Sequence, residues 1–137
     1  MQTSSLLKKA NRLLIKKANE LLKPHNMTHA YTYFLMELYR RDGLTQSEMH
    51  KCIGIEQPTA VRTLDRMERD GFILRTPSPN DRRVVLISLT SKALACKKDI
   101  HKVAQILNEL ALIDFSENEK LLFNQFITRL NENLEKR

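Results

Sequence analysis

Residues 44–90 read LTQSEMHKCIGIEQPTAVRTLDRMERDGFILRTPSPNDRRVVLISLT, and the fold prediction rests on this segment. Thr45 and Glu48 have the three-residue spacing of a capping box, which predicts that a helix begins directly after Thr45. Gly54 separates this short helix from a second one, which runs through AVRTLDRMERD and ends at Gly71. Two short helices joined by a tight turn that contains glycine have the spacing of a helix-turn-helix.

A β-hairpin is predicted directly after the second helix. FILRT, which follows Gly71, and RVVLISL, which begins at Arg83, are short β-prone runs. The polar turn sequence PSPND, residues 77–81, lies between them. A hairpin in this position adds a wing to the helix-turn-helix. We therefore predict a mainly α-helical protein with a small β-hairpin wing.

The second helix of the motif separates into two faces. Ala60, Leu64 and Met67 follow the i, i+4, i+7 spacing of a face that packs against the core. The polar face comprises Thr59, Arg62, Thr63 and Arg66. Such a helix fits the major groove of DNA, where polar side chains reach base edges and arginines bind guanine or phosphate. The alternative is a solvated polar face on an ordinary helix.

The tip of the predicted hairpin carries Asp81-Arg82-Arg83, beyond two prolines that stiffen the turn. A guanidinium held there can enter the narrow minor groove beside the major-groove contact. The alternative is an arginine pair solvated on a surface turn. Taken together, the candidate DNA-binding residues are Gln57, Pro58, Thr59, Arg62, Thr63, Arg66, Asp81, Arg82 and Arg83.

Amphipathic helices are predicted on both sides of the motif. In residues 4–23 an apolar stripe lies opposite five basic side chains, and a further helix begins near Thr28. Beyond residue 90 the helical period returns, and Ser116 and Glu119 form a second capping box before the last helix. The same helices of a second copy would bury these terminal stripes. The alternative is that the stripes pack within one chain.

The chain resembles the MarR (multiple antibiotic resistance regulator) family, most specifically through LTQSE (44–48), QPTA (57–60), LDRME (64–68), GFI (71–73) and DRR (81–83) before Leu89-Thr90. The resemblance implies that Arg83 enters the minor groove and that Asp81 fixes the wing loop by an ion pair. Two positions depart from the family pattern: Ala93 stands where glycine is usual, and Met67 replaces the commoner leucine.

The resemblance also implies a homodimeric winged helix-turn-helix regulator of transcription. The whole chain, 1–137, would then be a single domain, in which residues 28–90 form the DNA-binding lobe. Residues 4–23 and 91–137 would supply the dimerisation helices. The two DNA-binding lobes of the dimer would meet operator half-sites about one turn of DNA apart, roughly 34 Å. We therefore expect a repressor that binds a pseudo-palindromic operator on double-stranded DNA.

The charge balance supports this class of protein without locating the site. The 137 residues carry 23 Lys and Arg against 16 Asp and Glu, a net charge of +7. Much of the excess lies in residues 1–43, which have eight basic and three acidic side chains. An alternative for the basic first helix is a membrane-surface helix. No apolar run approaches the ~18 residues of a membrane span, and we expect a cytoplasmic protein.

Catalytic and cofactor chemistry find no support in the sequence. The three glycines all punctuate helices, and no Ser/His/Asp or Cys/His arrangement has a recognisable spacing. We expect no enzyme, no cofactor and no metal, although some relatives of the family leave a zinc-sensing role open for His25 and His29. Cys52 and Cys96 are expected to be buried, inert thiols, and oxidant sensing is the alternative.

A second candidate site lies on the helix that begins near Thr28. The MarR family often admits small aromatic or phenolic ligands in a cleft between the dimerisation helices and the DNA-binding lobe. By that resemblance the ligand-binding candidates are Met27, Tyr31, Phe34 and Tyr39, with a tyrosine hydroxyl meeting a polar group of the effector. The alternative for these residues is core packing. For the whole chain, the alternative is a winged-helix module that pairs with protein and does not bind DNA specifically.

Overall fold

The computed structural model describes residues 2–137, so Met1, the first residue of the predicted domain, lies outside the described residues. The helices are α1 (Thr3–Leu22), α2 (His29–Arg40), α3 (Gln46–Ile53), α4 (Gln57–Arg69), α5 (Ser91–Ala95), α6 (Lys97–Ala111) and α7 (Glu117–Lys136). The strands are β1 (Leu44–Thr45), β2 (Ile73–Pro77) and β3 (Val85–Leu89). The mainly helical fold with a small hairpin is confirmed.

The helix-turn-helix begins at the capping box that the sequence predicts. The Thr45 side-chain oxygen accepts a hydrogen bond from the Glu48 backbone N–H at 3.0 Å, and Glu48 Oε1 accepts from the Thr45 N–H at 3.4 Å. These two bonds satisfy donors that a helix start would otherwise leave unpaired. The first helix of the motif, α3, is thereby held at its N-terminus.

The predicted hairpin belongs to a three-stranded antiparallel sheet of order β1-β3-β2. Arg75 of β2 and Leu44 of β1 both pair with Ile87, at the centre of β3. The sequence does not predict β1, because two residues are too few to show the period of a strand. The Asp42 carboxylate supports this edge of the sheet by accepting from the Leu89 backbone N–H at 2.9 Å.

One hydrophobic core lies between α2, α3, α4 and the sheet. Its largest fully buried side chains are Leu22, Phe34, Leu35, Leu38, Met49, Leu64, Met67, Phe72, Ile73 and Ile87. Because several elements contribute to the same core, α4 and the hairpin are fixed relative to each other by close packing. The core therefore makes a rigid base for whatever the outer face of α4 contacts.

The terminal helices are packed much less within the chain. Helix α1 packs along α6, and Ala18 and Leu22 are its buried residues. By contrast, none of the 20 residues of α7 is buried, although the helix carries several large apolar side chains. The apolar stripe that the sequence predicts is thus present but uncovered in the single chain. None of the described helices is long and apolar enough to cross a lipid bilayer.

Candidate nucleic-acid interface

The turn between α3 and α4 is sharp because Gly54 adopts a left-handed conformation. Its φ is +69°, and its backbone N–H donates to the His50 carbonyl at 3.2 Å, closing the end of α3. A residue with a Cβ adopts such a φ with difficulty. The turn therefore brings the start of α4 close to α3, as a helix-turn-helix requires.

The inner and outer faces of α4 lie largely where the sequence predicts them. Ala60, Leu64 and Met67 are buried in the core. The predicted DNA-binding residues that are exposed on this helix are Gln57, Pro58, Thr59, Arg62 and Arg66. With its apolar face packed on the core, α4 presents these side chains outward. The exposed row includes two guanidinium groups and two side chains that can hydrogen-bond base edges.

Thr63 corrects the predicted polar face. Its side chain is not exposed beside Arg62: only 8% of the residue is accessible. The Thr63 hydroxyl donates to the Thr59 backbone carbonyl at 3.0 Å, one turn earlier in α4. Threonine can satisfy its hydroxyl in this way within a helix, so it tolerates a nearly buried position that the helical spacing alone does not reveal.

The wing loop is closed by its own backbone and by one ion pair. The Ser78 N–H donates to the Val84 carbonyl at 2.7 Å, across the base of the loop. Asp81 accepts from the Arg83 backbone N–H at 3.0 Å and from Arg83 Nε at 3.2 Å, which is the contact that the resemblance implies. These hydrogen bonds, the side-chain one first, lower the pKa of the Asp81 carboxyl.

Arg83 nevertheless remains accessible at the edge of the molecule. Its side chain is 91% exposed while it contacts Asp81, and Arg82 beside it is also exposed. A groove of about 510 Å³ lies between α3, α4 and the wing, and both Gln57 and Arg83 border it. The structure therefore brings Gln57, at the start of α4, and Arg83, in the wing, to one surface.

Arg75 is a charged residue at this site that the sequence analysis missed. Its Nη2 donates to Asp65 Oδ1 at 2.6 Å and to Glu68 Oε1 at 2.9 Å, and its backbone N–H donates to Glu68 Oε2 at 3.1 Å. Hydrogen bonds from Arg75 lower the pKa of Glu68. Within FILRT this arginine has the ordinary appearance of a polar strand residue, and no sequence spacing links it to α4.

A second group of contacts holds the C-terminal end of α4. The Tyr31 hydroxyl of α2 donates to Asp70 Oδ2 at 2.6 Å, and Lys92 Nζ donates to the Asp70 carbonyl at 2.6 Å. The lysine also lies over the Phe72 ring, 4.4 Å from its centre. A cation at a helix C-terminus is favourable because the last carbonyls carry partial negative charge. These contacts join α4 to α2 and to the start of α5.

The four predicted ligand-binding residues lie mainly in the core. Met27, Tyr31 and Phe34 are buried, and Tyr39 packs against the same core. Both tyrosine hydroxyls are already occupied: Tyr31 donates to Asp70, and Tyr39 donates to the Ala93 carbonyl at 2.5 Å. The core-packing alternative describes these side chains better than an open cleft. An aromatic-rich sequence looks the same in both cases, because core and cleft use similar residues.

The histidines and cysteines do not assemble into a site. The described residues contain no group of three or more His, Cys, Asp or Glu that could hold a metal ion. His25 Nδ1 lies 3.6 Å from Asp99, whereas His29 Nε2 lies 2.9 Å from the Tyr33 hydroxyl. The expectation of two buried thiols is wrong for Cys52, which is exposed near the end of α3, while Cys96 is half-buried.

An open apolar groove marks the terminal helices. It has a volume of about 530 Å³ and lies between α1, α6 and the start of α7. Its apolar lining residues are Ala10, Leu13, Leu14, Leu107, Leu110, Ala111, Leu112, Phe115 and Phe123. Lys16, Lys17 and Glu20 border the same groove. An apolar groove rimmed by charged side chains is typical of a protein–protein contact.

Comparisons with known proteins agree on one family. Residues 27–85 match the sequence model of the MarR family. The chain is 32% identical over 113 residues to an uncharacterized HTH-type transcriptional regulator, YwoH, of Bacillus subtilis (strain 168), and the match covers 82% of each chain. A crystal structure of MarR superposes with a TM-score of 0.87 at 28% identity over all of both chains. A mutant MarR from E. coli complexed with operator DNA superposes with a TM-score of 0.84 at 25% identity, over 93% of this chain and 91% of that one.

Proposed function

The chain belongs to the MarR family of transcriptional regulators, and we propose that it represses transcription by binding a pseudo-palindromic operator as a homodimer. The observation that carries the proposal is that Gln57, at the start of α4, and Arg83, in the wing, border the same groove. A helix and a hairpin tip on one surface can enter neighbouring grooves of a single duplex. A MarR relative of the same fold is complexed with operator DNA. Transcription regulators are not enzymes, which agrees with the sequence-based expectation.

In this proposal α4 enters the major groove by its N-terminal end. Gln57 and Thr59 reach base edges there, and Pro58 fixes the backbone of the first turn without leaving a donor unpaired. Arg62 and Arg66, which follow at helical spacing on the exposed face, bind guanine edges or phosphates. The buried Thr63 contributes to the helix rather than to base contacts.

The wing supplies the second contact. Arg83 enters the minor groove, whose negative potential is strongest where A·T-rich sequence makes it narrow. Asp81 limits the directions in which the guanidinium can point, because it holds Arg83 through both backbone and side chain. Arg82, exposed beside it, contacts the sugar-phosphate backbone. The minor-groove contact of Arg83 is expected to add affinity and to favour sequences whose minor groove is narrow.

The second subunit is proposed to cover the terminal helices. Residues 28–90 form the DNA-binding lobe, while residues 4–23 and 91–137 supply the dimerisation helices. Two observations support this division: α7 buries none of its residues in the single chain, and an apolar groove of about 530 Å³ lies beside it. Twofold symmetry would place two reading heads on one duplex, so that each head meets one half of a pseudo-palindrome.

A small aromatic effector remains part of the proposal. The dimer would have two states, one that binds DNA and one that does not, and the effector would bind one of them more tightly. A coupling free energy of only ~1–3 kcal/mol between effector and DNA binding is enough to change operator occupancy. Because Tyr31 is buried and Tyr39 packs against the core, the exposed tyrosine of α2 is Tyr33, whose hydroxyl lies 2.9 Å from His29 Nε2. Titration of the protein–operator complex with phenol and benzoate tests this part. An unchanged operator affinity at millimolar concentrations contradicts it for this class of molecule.

The wing variant Arg83→Ala separates DNA binding from the protein-interaction alternative. Footprinting upstream of the chain's own gene first defines a protected duplex, and fluorescence anisotropy then measures affinity for that duplex and for a scrambled one. We expect Arg83→Ala to weaken operator binding by about tenfold, since one cationic groove contact is lost. The control Arg40→Ala removes the same charge from the exposed end of α2, outside the residues proposed to contact DNA and outside the dimerisation helices, and is expected to leave affinity unchanged.

Two results would contradict the proposal. If wild-type protein protects no duplex and binds the two sequences equally weakly, specific DNA binding is wrong and the interaction module is favoured. If wild-type protein binds specifically but Arg83→Ala binds as tightly as Arg40→Ala, the assigned role of the wing is wrong while the regulator function stands.

A further inference from the structure

Arg75 forms the most enclosed ion-pair cluster beside the proposed reading helix. Its side chain is 20% exposed, whereas its partners Asp65 and Glu68 are 56% and 38% exposed. Four hydrogen bonds run from Arg75 to these two carboxylates, at 2.6 to 3.3 Å. A guanidinium that is partly buried and bonded at several points is held in one orientation. The cluster therefore fixes both acidic side chains of α4 on the side of β2.

The neighbouring arginines of α4 are in the opposite situation. Arg62 and Arg66 are exposed, and neither makes an ion pair with any residue in the described part of the chain. Asp65 is nevertheless three residues after Arg62 and directly before Arg66. Opposite charges three apart on a helix are near enough to pair. If Asp65 were released from Arg75, its carboxylate could therefore reach Arg62, on the exposed face of α4 that is proposed to contact DNA.

We propose that Arg75 is a positioning residue for DNA binding, which holds Asp65 and Glu68 toward the wing and so leaves Arg62 and Arg66 available to the duplex. This rests on the proposed function. Without Arg75, the Asp65 carboxylate would turn toward Arg62 and neutralise it, so the exposed face of α4 would offer one positive charge fewer to the phosphates. Arg75 acts through other residues and need not touch DNA itself.

The cluster also explains why acidic residues are tolerated on this helix. Asp65 and Glu68 join α4 to β2 through one guanidinium, so the same contacts that remove their charge from the reading face also tie the helix to the wing. Asp65 has a second cation, Arg69, four residues on, but Arg69 is occupied by Asp70 at 3.0 Å. In the described structure Arg75 is therefore the cation that holds Asp65.

The test is a rescue experiment with Arg75→Met, Asp65→Asn and the double variant. Anisotropy at several salt concentrations measures affinity for the footprinted duplex and its salt dependence. We expect Arg75→Met to bind about tenfold more weakly and to lose about one unit of the slope of log K against log salt, as for one lost phosphate contact. Adding Asp65→Asn is expected to restore the slope and to bring affinity within about threefold of wild type, because no carboxylate remains to pair with Arg62.

A purely structural role predicts a different pattern. Asp65→Asn cannot rebuild the lost contacts between β2 and α4. The midpoint temperature of thermal unfolding of the double variant should therefore stay as low as that of Arg75→Met. If DNA affinity and the salt slope also stay low in the double variant, the proposal is overturned. If Arg75→Met does not fold, Arg75→Gln with and without Asp65→Asn gives the same comparison, since glutamine removes the charge but keeps a polar side chain that can hydrogen-bond. Failure of wild-type protein to bind any duplex would instead refute the proposed function.

Discussion

At the scale of single residues, burial and bonding separate side chains that the sequence groups together. Arg62 and Arg66 are exposed and unpaired within the described chain, while Arg75, from the same motif, is enclosed by two carboxylates. Thr59 and Thr63 are likewise one helical turn apart, yet Thr59 is exposed and Thr63 is nearly buried. Residue type alone does not say which member of each group meets DNA, because helical spacing gives a direction but not the position of the neighbouring elements.

Substitution of Thr63 by valine tests this distinction. The Thr63 hydroxyl bonds to the Thr59 carbonyl and is enclosed, and valine keeps the branched shape of the side chain. We therefore expect Thr63→Val to change operator affinity by less than about twofold, below the cost of a lost base contact. The matched variant Thr59→Val alters an exposed position and should weaken operator binding. Measured against duplexes that each carry one substituted base pair, it should lose discrimination at one position of the operator. A larger effect at Thr63 than at Thr59 would contradict the assignment of the two faces.

At the scale of elements, α4 is held at two points by different neighbours. Arg75 ties its C-terminal half to β2, and the bond from Tyr31 to Asp70 ties its C-cap to α2. Tyr39 makes a comparable contact between α2 and the start of α5. These tethers join the helices that surround the core, so a displacement of α2 would be transmitted to α4. Such a connection is what an effector near α2 would need in order to change DNA binding.

The tyrosine tethers predict a loss of stability at alkaline pH. Burial, and for Tyr31 also the bond to Asp70, raises the pKa of Tyr31 and of Tyr39 to about 12 in the folded protein. In the unfolded chain a tyrosine loses its proton near pH 10. Between about pH 10 and 12 the unfolded state therefore releases protons that the folded state retains. The free energy of unfolding must fall over that range.

Urea unfolding from pH 8 to pH 12 measures this dependence. We expect a shallow profile at the lower end and a decline above about pH 10. The decline should be reduced in Tyr31→Phe and in Tyr39→Phe, and reduced further in the double variant, because phenylalanine has no proton to lose. A decline of unchanged steepness in the double variant would show that other groups cause it.

At the scale of the whole molecule, the apolar faces of α1 and α7 are largely uncovered in the single subunit. The N-terminal helix carries the largest share of the positive charge, and α7 leaves Leu121, Phe123, Phe126 and Leu134 exposed. Large uncovered apolar side chains on a helix are costly in water. A second copy that covers these helices would remove that cost and would also set the distance between two reading heads. Assembly and DNA recognition are thus expected to be coupled.

The variant Phe126→Glu tests this coupling. Phe126 is 57% exposed on α7 in the single chain, and a carboxylate there should prevent the apolar face from being covered. We expect a monomer by sedimentation equilibrium, with operator affinity lowered at least about tenfold because one half-site contact is lost. The control Leu74→Gln changes a similarly exposed apolar residue of the wing and should remain dimeric. A Phe126→Glu protein that stays dimeric with normal affinity would refute the assigned interface.

The resemblance to the MarR family implied the loop contact between Asp81 and Arg83. Local sequence patterns were enough to predict the order of the main helices and the hairpin, the two capping boxes and the inner face of α4. Each of these depends on residues within a few positions of one another, so local geometry is sufficient. Sequence patterns did not predict that Thr63 is enclosed, that Tyr31 and Tyr39 bond within the fold, or that Arg75 holds Asp65 and Glu68. These outcomes depend on which distant segments meet, such as β2 against α4 or α2 against Asp70. No periodic pattern records such meetings, because they arise from the packing of elements far apart in the chain.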